Sequence, residues 1–338
     1  MFESSPAAAR PRFRVDPWAA DYGSSLFEEG EARAKPGVRP FVETSDWDRP
    51  VGAEVVARPE AIVFVDGVQR TEIWGFVEVG ERTVRSALAS IGVGAAVCAS
   101  DGAYVDSWKI DRVFALAADC GAEPLTVPAG AQLLRFVPEW PASSAVTDAE
   151  DVLTGAQAIA NAISKRRRAL ERHLAEEMAA EDRLVVLDGR LLFDPSRATP
   201  VVGLAKTIHE IYLEEPQRAL VPRLGAGERT PVFAIDYETS TRYSWFLRLA
   251  PARPINHSLA GIVRLETPDV GRDEAVRLAN LTAFHLPAFA SKPEHDPRAP
   301  QNLLPVGGLE RRLRHEMGDA LFIRRAIEDH LAKEAPEI

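Results

Sequence analysis

Two apolar runs in this chain close in the same dipeptide: IVFVDG at 62–67 and LVVLDG at 184–189. Each places one carboxylate, Asp66 or Asp188, at the C-terminal lip of an expected buried strand. If the two strands are neighbours in one sheet, both carboxylates face one point and repel each other unless a cation lies between them. Oxygen ligands of this kind suit Mg²⁺ or Mn²⁺ far better than zinc. The chemistry most often run at such centres is phosphoryl transfer or phosphodiester hydrolysis. A third carboxylate would complete the set, and the helical stretch 149–181 offers Glu171, Glu176, Glu177 and Glu181. Glu171 follows Leu170 and can border the apolar face. The other three read as a solvated face, with the KRRR run at 165–168 as ionic partners.

Other residues admit two readings each. Lys206 closes VVGLAK, where its ammonium could meet a phosphate or a transition-state oxygen, or simply snorkel off a strand end. Asp236 closes FAID and could be a further ligand or a turn residue. Tyr243 and Arg248 flank an aromatic strand, for which packing is the commoner explanation. His257 and His295 sit in expected loops, fit for phosphate binding or proton transfer but more often incidental there. Asp101-Gly102 shows the bland use of the same dipeptide, a hairpin turn. There is no GxSxG, GxxxxGK[ST] or HExxH pattern, and two cysteines without spaced histidines form no zinc motif.

The elements that must position these groups follow from periodicity. Strands are expected at 61–65, 71–79, 94–100 and 103–108, an antiparallel meander by their spacing. A long helix spans 149–181, with Val152, Ala156, Ile159, Ile163, Leu170, Leu174 and Met178 near helical period. Strands return at 184–187, 201–205, 231–235, 244–249 and 261–265. A Pro-rich loop occupies 293–305, and a single helix closes the chain at about 309–333. Meander, helix, then a parallel strand is the order of a ribonuclease H-like α/β core: a mixed sheet flanked by helices, in which the first strand and the strand after the helix are neighbours. Residues 1–58, rich in Pro, Gly and charge, are expected to form an irregular arm around a body at 59–335.

The 338 residues are 46% hydrophobic and 27% charged, the balance of a globular protein with a real core. No run approaches the roughly 20 apolar residues of a membrane span, and the N-terminal residues lack the basic-then-apolar order of a signal peptide. Two cysteines, Cys98 and Cys120, without a dense framework suggest a reducing, cytoplasmic home. The net charge of −10 argues at first against nucleic acid. The basic runs at 165–168 and 311–314, and a cation bridging acidic protein to phosphate, soften that objection.

FVDG at 64–67, VVLDGRLL at 185–192 and VVGLAK at 201–206 together resemble the NurA family of nucleases. The long charged helix and the later YSWFLRLAP strand fit as well, and the resemblance covers roughly 55–320 as short motifs. It implies a ribonuclease H-like fold and Mn²⁺-dependent (or Mg²⁺-dependent) cleavage of DNA. It also implies a homodimer docked on a HerA-type hexameric ATPase, working in DNA end processing or anti-phage defence. By motif, Asp66, Glu171 and Asp188 would be the metal ligands and Lys206 would lie near the scissile phosphate. The family's late histidine would be His295, with His315 the other candidate. The competing expectation is a catalytically silent assembly subunit of the same fold. A metal-dependent phosphatase acting on small molecules is more distant.

Overall fold

The computed structural model describes residues 36–79, 82–141, 152–180, 182–191, 201–208, 210–237 and 240–334. Its strands in chain order are β1 (Gly37–Arg39), β2 (Ala61–Val79), β3 (Arg82–Ala99), β4 (Gly102–Leu116), β5 (Leu125–Ala129), β6 (Gln132–Glu139), β7 (Arg183–Asp188), β8 (Val201–Ala205), β9 (Phe233–Asp236), β10 (Thr241–Arg248) and β11 (Ile262–Pro268). The helices are α1 (Val152–Met178), α2 (Arg272–His285), α3 (Leu304–Glu316) and α4 (Ala320–Glu334). Among the described residues, no helix is long and apolar enough to cross a membrane.

The chain divides into two units. The larger takes Ala57–Leu204, Glu266–Val270 and Leu304–Ile338, and the smaller takes the rest. In the larger unit the strand order is β8-β7-β2-β3-β4-β6-β5. The pairs β2–β3 and β3–β4 are antiparallel, while β7 runs parallel to both β2 and β8. This mixed sheet is covered on both faces. Side chains alternate along a strand, so Val63, Val65, Val93 and Ala95 turn to one side, where they pack with Ile159, Ile163, Leu174 and Ala175 of α1. The opposite face of β3 carries Gly92 and Gly94. A Cβ at Gly94 would meet Leu309 Cδ1 and the Ser107 carbonyl oxygen, both at 3.0 Å. The two glycines thus form a valley that seats α3. Farther along the same face Leu88, Val127 and Phe136 cluster with Ile323 and Ile327 of α4.

The smaller unit orders its strands β1-β9-β10-β11, the last as far as Leu265. Phe233 and Phe246 stack at 5.9 Å in a core with Trp47, Leu220 and Ile262. Its buried Arg229 donates to both oxygens of Glu43, at 2.7 and 2.8 Å, and Trp245 Nε1 donates to Thr282 Oγ1.

The expected meander is present, but its first two strands are one. Residues 61–65 and 71–79 belong to the continuous β2, because β3 pairs with it throughout, Asp66 and Gly67 included, with one irregularity between Thr71 and Ile73. Asp66 therefore sits within a strand rather than at its end. Asp101-Gly102 does turn the β3–β4 hairpin. The single closing helix is two helices, divided at Gly318, whose φ of +85° suits glycine. The hairpin β5–β6 and the helix α2 were not anticipated. Of the expected arm, residues 1–35 lie outside the described residues, and 36–56 count with the smaller unit.

Candidate metal centre

Asp66 reaches the site from β2 and Asp188 from the end of β7. The parallel register pairs Val65 with Leu187, so the next residue on each strand is the aspartate, pointing away from α1. Glu310 arrives from α3, which lies on that same face. The three carboxylates place oxygens within 4.8 Å of one another. Asp66 and Glu310 are buried and Asp188 is half-buried. Three anions gathered this closely, two of them out of water, are unfavourable alone. Arg314 offsets part of this, its Nη2 lying 3.2 Å from Glu310 Oε2. The donor set is all oxygen and comes from three separate elements, which fits Mg²⁺ or Mn²⁺ and does not fit a thiophilic metal.

The backbone around Asp188 is held closely. Gly189, at φ +120°, donates its N–H to the Leu204 carbonyl at 2.9 Å. The Leu191 N–H donates to the buried Glu266 Oε1 at 2.6 Å. This turn crosses over Gly203 of β8, where a Cβ would stand 2.8 Å from Leu191 Cγ and 3.0 Å from the Gly189 carbonyl oxygen. The glycine of VVGLAK thus admits the turn that follows Asp188.

Glu171 is brought to the neighbourhood from the α1 side. It is buried against Gly67, where a Cβ would come within 2.6 Å of Glu171 Oε1. Arg167 pairs with it and also donates to the Gly67 carbonyl at 3.3 Å. Burial pushes the Glu171 carboxyl up to about 7. Arg167 opposes that rise, and the negative charge of Asp188 adds to it. Glu171 is not one of the three clustered carboxylates; Glu310 is.

Sequence reasoning missed Glu310, although a signal existed. Val306, Leu309, Leu313 and Met317 fall at helical spacing on a buried stripe, and Glu310 lies beside it. The KRRR run also differs from expectation. Arg166 pairs with Asp111 at 2.7 Å and Arg167 with Glu171, so neither answers the exposed Glu176 and Glu177. Glu181 lies outside the described residues.

The remaining candidates, His315 apart, belong to the smaller unit. Lys206 is buried and donates to Asn302 Oδ1, and Asn302 Nδ2 donates in turn to Asp296 Oδ2 at 2.6 Å. His295 is exposed in a turn, its N–H donating to the Lys292 carbonyl at 2.8 Å. Asp236 pairs with Arg39 at 2.7 Å and accepts from Thr241 Oγ1, and the Arg39 hydrogen bond holds its carboxyl below the usual range. Arg248 donates to the carbonyls of Leu224, Ala260, Pro222 and Ser258, the packing role expected of it. His315 is exposed on α3 of the larger unit.

No protein-family model matches the chain, and no curated protein matches it. Among solved structures, the chain is similar to the NurA nuclease from Sulfolobus solfataricus at 11% identity and a TM-score of 0.48, over 86% of this chain and 90% of that one. It is also similar to endonuclease V from Bacillus subtilis, at 12% identity and a TM-score of 0.29, over 82% and 84% of the two chains.

Proposed function

We propose that this protein is a metal-dependent nuclease of ribonuclease H-like fold that hydrolyses phosphodiester bonds in DNA. The observation that carries this reading is the set Asp66, Asp188 and Glu310, delivered by two parallel neighbouring strands and a helix to within 4.8 Å. The connectivity agrees with it: an antiparallel meander, a long helix, then a strand returning parallel beside the first. The motifs at 64–67, 185–192 and 201–206 supply the nucleic-acid part of the reading.

In this reading Asp66, Asp188 and Glu310 hold Mn²⁺ or Mg²⁺ through carboxylate oxygens. A divalent cation held there would offset phosphate charge and would make water a competent nucleophile near neutral pH. In the hydrolysis, water adds to phosphorus, one P–O ester bond breaks, and the leaving oxygen takes up a proton. The chain's own part is to fix the ligand oxygens and to meet the phosphate with positive charge. Arg311 and Arg314 are exposed on the helix that carries Glu310, so the acidic site has a cationic flank despite the net charge of −10. The reading extends to the partners implied by the NurA resemblance, a second copy of the chain and a HerA-type hexameric ATPase.

The test is cleavage of labelled linear single- and double-stranded DNA with Mn²⁺, Mg²⁺ or EDTA, beside Asp66→Ala. The expected result is metal-dependent cleavage that falls at least about 100-fold in the variant, the order seen when a group stabilising transition-state charge is removed. Undiminished cleavage by Asp66→Ala would overturn the assignment. If the isolated chain is silent, repeating the assay with the ATPase decides between nuclease and silent subunit.

A further inference from the structure

Two turns beyond Glu310, α3 ends in a polar receptacle built into the sheet. Arg70, Ser90 and Arg112 stand in register across β2, β3 and β4, on the face that carries Asp66 and α3. Arg70 Nη1 donates to the Gly318 carbonyl at 3.1 Å, and Arg112 Nη2 donates to the Met317 carbonyl at 2.8 Å. Between the two guanidiniums lies Glu72, whose side chain is 0% exposed. It accepts from Arg70 at 2.8–3.1 Å, from Arg112 at 3.4 Å and from Ser90 Oγ, while Arg112 also donates to Ser90 Oγ. Burial presses the Arg112 pKa downward, with Glu72 opposing the shift.

A buried carboxylate flanked by two arginines leaves one net positive charge at the negative end of the α3 dipole, on the last carbonyls that the helix cannot satisfy itself. Elsewhere the helix meets the sheet through Leu309 and Leu313 in the valley of Gly92 and Gly94, and through Arg312, whose guanidinium lies 4.9 Å over the Trp108 ring. Such packing resists lifting better than sliding. A slip of one turn would move Glu310 by about 5.4 Å, more than the 4.8 Å that encloses the three ligand oxygens. A directional bond to a specific carbonyl opposes such a slip directly.

We infer that Arg112, with Arg70 and Glu72, is a positioning group for the metal centre: it fixes the axial register of α3 and so places the Glu310 carboxylate. This rests on the metal-centre reading above. The network touches no ligand. It acts through the helix.

The test is a double-mutant cycle read by Mn²⁺ binding, followed by electron paramagnetic resonance on the full chain. Arg112→Met in the otherwise native chain is expected to weaken Mn²⁺ binding about 10-fold, the low end of what outer-shell changes cost. In a Glu310→Gln background the same change should cost less than about 2-fold, because the group it positions is already gone. Arg112→Lys, which keeps a donor for the Met317 carbonyl, should recover part of the loss. A purely structural role predicts the same loss in both backgrounds and overturns the inference while leaving the metal centre intact. If Arg112→Met does not fold, Arg70→Met is run through the same cycle, since its guanidinium is the more exposed of the two. A native chain that binds no Mn²⁺ removes the metal centre and the inference together.

Discussion

At the scale of single residues, Glu171 shows how a buried carboxylate reports on its surroundings. It faces Gly67 and Arg167, and burial, with the charge of Asp188 adding to it, raises its pKa to about 7 from 4.5. A carboxyl whose folded pKa is raised contributes stability that is fully present below the unfolded pKa and is lost as pH rises through the folded one. The chain should therefore lose stability between about pH 4.5 and 7 on this account alone. Glu171→Gln keeps the shape and removes the titration. Its stability relative to the native chain should rise across that window by up to about 3 kcal/mol, since each pH unit between the unfolded and folded pKa is worth about 1.4 kcal/mol. Loss of the Arg167 pair subtracts a constant above pH 7. The measurement is urea denaturation of both proteins in EDTA at pH 4.5, 6 and 8; parallel curves at all three would refute the assignment. The burial of Glu171 was legible in the sequence because it sits beside the apolar stripe of α1. Glu310 was equally placed on α3, but nothing in the sequence said that α3 would dock over Asp66.

At the scale of elements, the glycines next to the site are spacers. Gly203 lies where the turn after Asp188 crosses β8, with backbone atoms of Gly189 and Leu191 at 3.0 and 3.1 Å from a would-be Cβ. Backbone cannot move aside as a flexible side chain can. Gly203→Ala should thus cost about 1–3 kcal/mol, as overpacking does, and should weaken Mn²⁺ binding by shifting Asp188. Gly308, on α3, has nothing within 4 Å of its Cβ position, so Gly308→Ala should instead stabilise by up to about 1 kcal/mol through helix propensity. Thermal denaturation of the pair, with Mn²⁺ titrations, separates the outcomes; equal and small effects would show that the close approach at Gly203 is absent. The same scale explains what the sequence concealed. Asp-Gly is a turn signal, so the expected first strand stops at Val65. It continues because every residue from Ala61 to Thr71 finds a partner on β3, a fact of tertiary pairing that no local signal carries. The break between α3 and α4 was legible in principle: Gly318 is followed by Asp319, whose Oδ1 accepts from the Phe322 N–H at 2.7 Å as a helix N-cap does. The parallel pairing of β7 with β2 was the part best read, since both strands are continuous apolar runs, the mark of a strand buried on both faces.

At the scale of the whole molecule, the three clustered carboxylates all belong to one unit, Ala57–Leu204 with Glu266–Val270 and Leu304–Ile338. They also come from segments far apart in the chain. A cation that joins Asp66, Asp188 and Glu310 ties β2, β7 and α3 together, and anything that binds the folded state alone stabilises it by mass action. At a free Mn²⁺ concentration about 100 times Kd the gain is about 2.7 kcal/mol, a sizeable fraction of the usual stability of roughly 5–15 kcal/mol. The gain should also be local. In the metal-free chain the repulsion among the carboxylates favours openings that carry α3 away from the sheet, and these are the openings the cation suppresses. Hydrogen exchange should therefore slow on adding Mn²⁺ in α3, at the end of β7 and around Asp66, and change least in β9 and β10. The slowing should vanish in Asp66→Ala. Uniform slowing over both units would indicate diffuse binding to the acidic surface. No slowing at concentrations that support cleavage would mean that the three carboxylates do not hold the metal used in the reaction.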